Sequence, residues 1–379
     1  MDFYVAAGGG QHFRFGLGDG RLMASPLMSR DLFLELSSHQ HRVPIAADLV
    51  LHGHDNVGRI LQDGGLLGAV VAEAAQAFHT PLAFPLMDLR LEKAELLRHF
   101  GVAEDEVEKF HFTSAPTPEQ RRDYARSVQR TAPSNRVMAN LGAVHCVLSR
   151  TNLFPVGMCI GPFSLTSKLM VDPITPVYLA GSGVGAEEEP DVALLEACHE
   201  ISLTCVLHQV EQTIAAGAQA VFIAEPAANQ IYFSPLQIAS GSNVFERFVL
   251  EPNRRIAALL ADRGVDLIFH CCGELAAVML DGFCSLHPAM LSLGSSRKLW
   301  EDAARVPKDV VLYGNLASKM FYSDQFMPVA RVAEDTARLA AQMAACGHPF
   351  ILGTECDTLY VSEYAGTIRT KVDCLLKAS

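Results

Sequence analysis

The sequence predicts an α/β protein, a (β/α)8 TIM barrel with an N-terminal extension. Two observations lead there. From about residue 150 onward, short apolar runs alternate with longer helical patterns in six strand-then-helix units, the rhythm of a parallel sheet. Polar residues able to do chemistry then fall at the C-terminal ends of four different strands: Glu225, His270 with Cys272, Asn315 and Cys356. A barrel gathers such ends at one mouth, whereas an open doubly wound sheet would spread them along an edge.

The elements are read in order. Residues 1–44 form an extension packed on the barrel, and residues 45–379 a single catalytic barrel domain. Residues 66–78 are apolar but interrupted by Glu73, which suits a buried helix. Residues 81–85 are a weak strand candidate, and 136–143 a better one. Between them, Pro116-Thr117-Pro118 marks a loop before a polar helix over 119–131. Residues 154–160 form a strand ended by Gly161-Pro162, with a helix after it. A long amphipathic helix covers 192–216. Residues 220–224 are the next strand, ended by Glu225-Pro226. Residues 243–263 are helical with a break expected at Pro252. Residues 264–269 form the strand before His270. Strands at 289–293 and 310–313 end at Gly294-Ser295-Ser296 and Gly314-Asn315. A helix over 329–345, a strand over 349–352 and a closing helix over 362–376 complete the series. These strands are apolar on both faces, as a covered parallel sheet requires.

Composition narrows the function. The chain has 379 residues, 50% hydrophobic and 19% charged, enough for a large core. Its net charge of −12, with lysine and arginine scattered, argues against nucleic acid as a partner. No apolar run is long enough to span a membrane, and the start lacks a signal-peptide pattern. A cytoplasmic protein is expected. In such a compartment the ten cysteines are buried thiols or metal ligands rather than a disulfide framework.

The chemistry is carried by His270-Cys271-Cys272-Gly273 and by Gly353-Thr354-Glu355-Cys356-Asp357. His270 and Cys272 are two residues apart at a strand end, so in extended backbone they point to one side and Cys271 to the other. Gly273 permits a sharp exit towards a helix near Glu274. With Cys356 they offer one imidazole and two thiolates, a set that suits zinc. Three protein ligands leave a position for substrate, which points to catalysis. Glu225 is read as a pocket acid and Asn315 as a second catalytic residue. Asn229 and Tyr232, in the loop after Glu225, are candidate ligand contacts. Asp357 is expected to support the centre from beside Cys356. His52-Gly53-His54-Asp55 has metal-site composition but is read as a solvated turn, and Asp88 is a weaker candidate.

From about Val43 onward the chain resembles the uroporphyrinogen decarboxylase superfamily. The marks are Gly161-Pro162-Phe163-Ser164-Leu165, Glu225-Pro226-Ala227-Ala228, Ser234-Pro235, His270-Cys271-Cys272-Gly273, Gly314-Asn315-Leu316 and Gly353-Thr354-Glu355-Cys356-Asp357. Residues 87–95 look like a looser form of an N-terminal family motif. Within the superfamily the chain is most similar to the zinc-dependent corrinoid methyltransferases, whose zinc triad falls on His270, Cys272 and Cys356. The resemblance implies methyl transfer from the methylcobamide of a partner corrinoid protein to a small-molecule acceptor, either tetrahydrofolate or a thiol such as coenzyme M. A homodimer is compatible with it. The alternatives are a decarboxylase-like lyase acting on a small acid, or a barrel whose zinc is structural. The decarboxylase branch fits poorly: its arginine-rich N-terminal motif is absent, and the comparable region reads Arg42-Val43-Pro44-Ile45-Ala46-Ala47-Asp48. A porphyrinogen bearing many carboxylates needs such arginines. Some members also carry an acidic residue after the strand ending here at Leu293, where this chain has Gly294-Ser295-Ser296.

Overall fold

The computed structural model describes residues 28–377. Eight parallel strands follow one another around a barrel: β1 Arg42–Val43, β2 Leu82–Ala83, β3 Phe154–Ile160, β4 Ala220–Ala224, β5 Asp266–Cys271, β6 Met290–Leu293, β7 Val311–Leu316 and β8 Phe350–Thr354. The hydrogen-bonded order is β1-β8-β7-β6-β5-β4-β3-β2. Among the described residues no ladder joins β1 to β2, so the barrel is nearly closed. Both edge strands have only two residues, and two residues cannot carry a ladder far.

Side-chain alternation divides the core in two. Val156, Ala220, Phe222, Ile268, Met290, Val311, Tyr313 and Ile351 fill the interior. Val221, Ile223, Leu267, Phe269, Cys271 and Leu291 face the helices. The helix Met28–Ser38 seals the N-terminal end. Its Phe33 and Leu36 are buried with the interior set, and Phe33 meets Phe154 edge-on at 5.7 Å. Arg30 bonds the Asp309 carboxylate and the main-chain oxygens of Asp309 and His287, all at the entry to β6 and β7.

Several expectations are corrected. Residues 136–143 lie in the helix Asn135–Arg150 rather than a strand. Ser134 caps that helix by accepting from Val137 N, and Val137, Val144 and Val147 share its buried face at helical spacing. The face packs on the helix Gly64–Ala77 at a distance that only glycine allows. A Cβ on Gly64 would stand 2.6 Å from Gly142 Cα, and one on Gly68 2.5 Å from Cys146 Cβ. The first strand is instead Arg42–Val43, which pairs with Leu352 and Gly353 of β8 although it falls inside the segment read as an extension. The remainder of that segment, residues 1–27, lies outside the described residues. The break expected at Pro252 takes the form of a π-helical turn, Glu246–Leu250, leading into the helix Glu251–Asp262. The helix expected near Glu274 begins at Ala277. No helix among the described residues is long and apolar enough to cross a membrane.

Candidate metal centre

β5 runs through Cys271, so His270 lies on the strand and Cys272 just past it. By the alternation above, His270 faces the interior, where its ring packs 5.1 Å from that of Phe222. Cys271 faces the helices, is fully buried, and donates to Ala228 O. Cys272 turns back to the interior side beside Gly294, where a Cβ would stand 2.5 Å from Cys272 O. The glycine after β6 is therefore required by the course of the chain around Cys272. Cys356 arrives from β8 across the mouth. The ligand atoms of His270, Cys272 and Cys356 all lie within 4.8 Å of one another, and this is the only such group found among the described residues.

Hydrogen bonds orient the group. His270 Nδ1 lies 2.9 Å from Ser292 Oγ, while Nε2 is buried without a partner. Ser292 sits directly opposite His270 in the β5–β6 register. A histidine with one nitrogen fixed and the other open is the arrangement of a metal ligand. The two thiols perturb each other: the Cys356 thiol beside it holds Cys272 well below its usual range, and the same neighbour, with burial, raises Cys356. An imidazole and two sulfurs at this spacing fit a zinc ion.

The surrounding residues divide into those that frame the centre and those that do not. Asn315, buried on β7, donates to Gly294 O at 2.6 Å and Arg297 O at 2.8 Å, holding the loop after β6. Glu355 accepts from Ser295 N and ties that loop to β8. Asp357 is buried; its Oδ2 accepts from Met87 N and its Oδ1 has no partner. Burial, helped by Asp48, pushes its carboxyl up to about 7. Asn229 is satisfied within its own loop by Pro226 O and Ile231 N, and a Cβ on Gly273 would stand 2.5 Å from it. Tyr232 rests edge-on against Phe163 at 5.7 Å.

Glu225 is not brought to the mouth. It follows β4 on the helix-facing side and is fully buried. Its oxygens accept from Phe163 N and Ser164 N, at the start of the helix Pro162–Lys168, and from Asn253 Nδ2. Burial raises its pKa against those bonds. A carboxylate so engaged anchors a helix start, a favourable place for negative charge. The three possible ligands at positions 52–55 also do not gather. His52 contacts Asp48 and stacks on Tyr360 at 4.3 Å, while His54 pairs with Glu73.

Three residues near the centre were missed. Ser292 carried a signal, as the polar residue of an apolar strand. Lys319 follows β7 on a short turn, Ser318–Met320, whose Ser318 Oγ donates to Cys356 O. Partial burial works against its charge, but Cys272, Glu355 and Cys356 outweigh that and raise its pKa. Met87 lies with Sδ 3.4 Å from Cys356 Sγ. Lys319 had no local signature, and Met87 was legible only as the first residue of the looser 87–95 motif.

Comparison with known proteins agrees with this architecture. Among solved structures, a methyltransferase from Methanosarcina mazei superposes with a TM-score of 0.63 over 91% of this chain and 96% of its own, at 14% identity. At that identity the likeness is one of fold. No curated protein matches the sequence. The profile described as uroporphyrinogen decarboxylase (URO-D) matches residues 113–366. That span covers more than half of the chain and takes in β3 through β8 with His270, Cys272 and Cys356, so the chain belongs to the uroporphyrinogen decarboxylase family.

Proposed function

We propose that this protein is a zinc-dependent methyltransferase that moves a methyl group from a corrinoid protein to a small acceptor, a thiol or tetrahydrofolate. The observation that carries the reading is a buried His270 imidazole, its Nε2 without a partner, with a ring nitrogen within 4.8 Å of two sulfurs. His270, Cys272 and Cys356 would hold the ion, and Ser292 would fix the imidazole. Zinc bound there would supply a Lewis acid able to hold an acceptor thiol as its thiolate near neutral pH. Asn315 and Asp357 are positioning residues in this reading, the first for the loop after β6 and the second for the Met87 segment. Asn229, beside Gly273, shapes the exit from β5, and Tyr232 packs on Phe163. Glu225 acts at a distance, by fixing the helix after β3. The porphyrinogen alternative loses support from Arg42, which donates to Leu375 O and is committed to the closing helix.

Metal analysis of the purified protein should give about one zinc per chain, and Cys272→Ala or Cys356→Ala should abolish it. Mixing with methylcobalamin and either acceptor should generate Co(I), followed by absorbance. Stoichiometric zinc in both variants, or no cobalt reduction with either acceptor, would sink the proposal.

A further inference from the structure

The segment after β2 brings a third sulfur to the centre. Met87 Sδ accepts a hydrogen bond from the Cys356 thiol, the two sulfurs 3.4 Å apart. The contact is held by the main chain as well, because Met87 N donates to Asp357 Oδ2, one residue beyond Cys356. The side chain is half-buried and packs against the barrel interior, the side that His270 faces. Around a tetrahedral ion with sulfur at about 2.3 Å, two sulfur ligands lie roughly 3.8 Å apart. The Met87–Cys356 spacing is close to that edge. No carboxylate competes from the tip of β6, which reads Gly294-Ser295-Ser296, and the Glu355 carboxylate is engaged by Ser295 N.

We propose that Met87 is the fourth, exchangeable ligand of the metal centre, a neutral thioether that occupies the acceptor position until a thiol displaces it. The inference rests on the zinc reading above. A thioether is soft enough to bind and, being uncharged, weaker than a thiolate, so it yields to one. The exchange balances without a redox change. The acceptor's S–H bond breaks and its proton passes to bulk solvent. A sulfur–metal bond to the acceptor forms as the one to Met87 breaks. The position is also chemically suited to its cargo: a methylated thiol is itself a thioether with a terminal methyl, as Met87 is. The acceptor class that follows is a thiol, since an incoming thiolate has the advantage over Met87 that a neutral amine of a folate lacks.

Zinc K-edge X-ray absorption on the zinc-loaded protein, with 2-mercaptoethanol as the probe, tests this independently of turnover. Met87→Leu keeps volume and apolarity, so the fold is retained. The expected result is three sulfur neighbours and one nitrogen in the parent, falling to two sulfurs in Met87→Leu. On adding thiol the parent should stay at three and the variant should rise from two to three. The same sulfur count in both proteins before thiol is added would overturn the role of Met87 while leaving the metal centre intact. A chain that binds no zinc in either form would overturn both.

Discussion

The two ends of the barrel are built on opposite rules. At the N-terminal end, the helix Met28–Ser38 closes the interior with Phe33 and Leu36, and its one charged link, Arg30 to Asp309, lies at the surface. At the C-terminal end, buried polar atoms around the metal centre are left without partners: His270 Nε2 and Asp357 Oδ1. Buried polar groups are ordinarily bonded, because each orphan costs about 1–3 kcal/mol. Such atoms also occur elsewhere, His348 Nδ1 before β8 among them, so what sets the C-terminal end apart is their gathering beside two sulfurs.

The comparison breaks most readily at the closed end. Phe33→Ala removes a fully buried ring and should cost about 3–5 kcal/mol, read as a lower urea midpoint. Zinc content of the folded variant should be unchanged; a loss of metal would show that the two ends are not independent. The next effect lies at the end of β3 and depends on pH. Glu92, on the helix Leu91–His99, accepts from Ile160 N with one oxygen, and burial pushes its carboxyl from 4.5 up to about 7. A folded-state pKa above the unfolded value means that the folded chain holds the proton more tightly. Its contribution is therefore complete below about pH 4.5 and is lost as pH rises towards 7. Relative to Glu92→Gln, the parent should lose up to about 3 kcal/mol across that window. Parallel stability curves from pH 4.5 to 7.5 would refute the assignment. The smallest effect is Ser292→Ala. It should lower zinc affinity about 10–100-fold, roughly 1.4–2.7 kcal/mol, in chelator competition, and should also lower the urea midpoint by the equivalent of about 1–3 kcal/mol, since His270 Nδ1 loses its partner.

Legibility in the sequence followed the range of the interactions. β3, β4, β5, β7 and β8 were readable because each is an apolar run punctuated by glycine or proline. His270 and Cys272 were readable because two residues in extended backbone share a side. β1 at Arg42–Val43 was not, since two residues show no period. The helix Asn135–Arg150 was mistaken for a strand because its small and apolar residues serve a close helix contact through Gly142. Glu225 stands at a strand end as expected, but β4 is apolar on both faces, so nothing in its pattern tells which side the next residue takes. Lys319 and Met87 reach the centre only through tertiary packing; Met87 opens the 87–95 motif, but nothing in that motif tells where its sulfur goes.

The missing ladder between β1 and β2 gives this barrel a mechanical character. It is less a ring than a clasp, with Cys356 carried on the β8 flank, next to β1, and Met87 on the flank of β2. Their 3.4 Å contact bridges the gap from one flank to the other. An ion bound to both sulfurs would fasten the clasp, and an acceptor that freed Met87 would undo one hook of it.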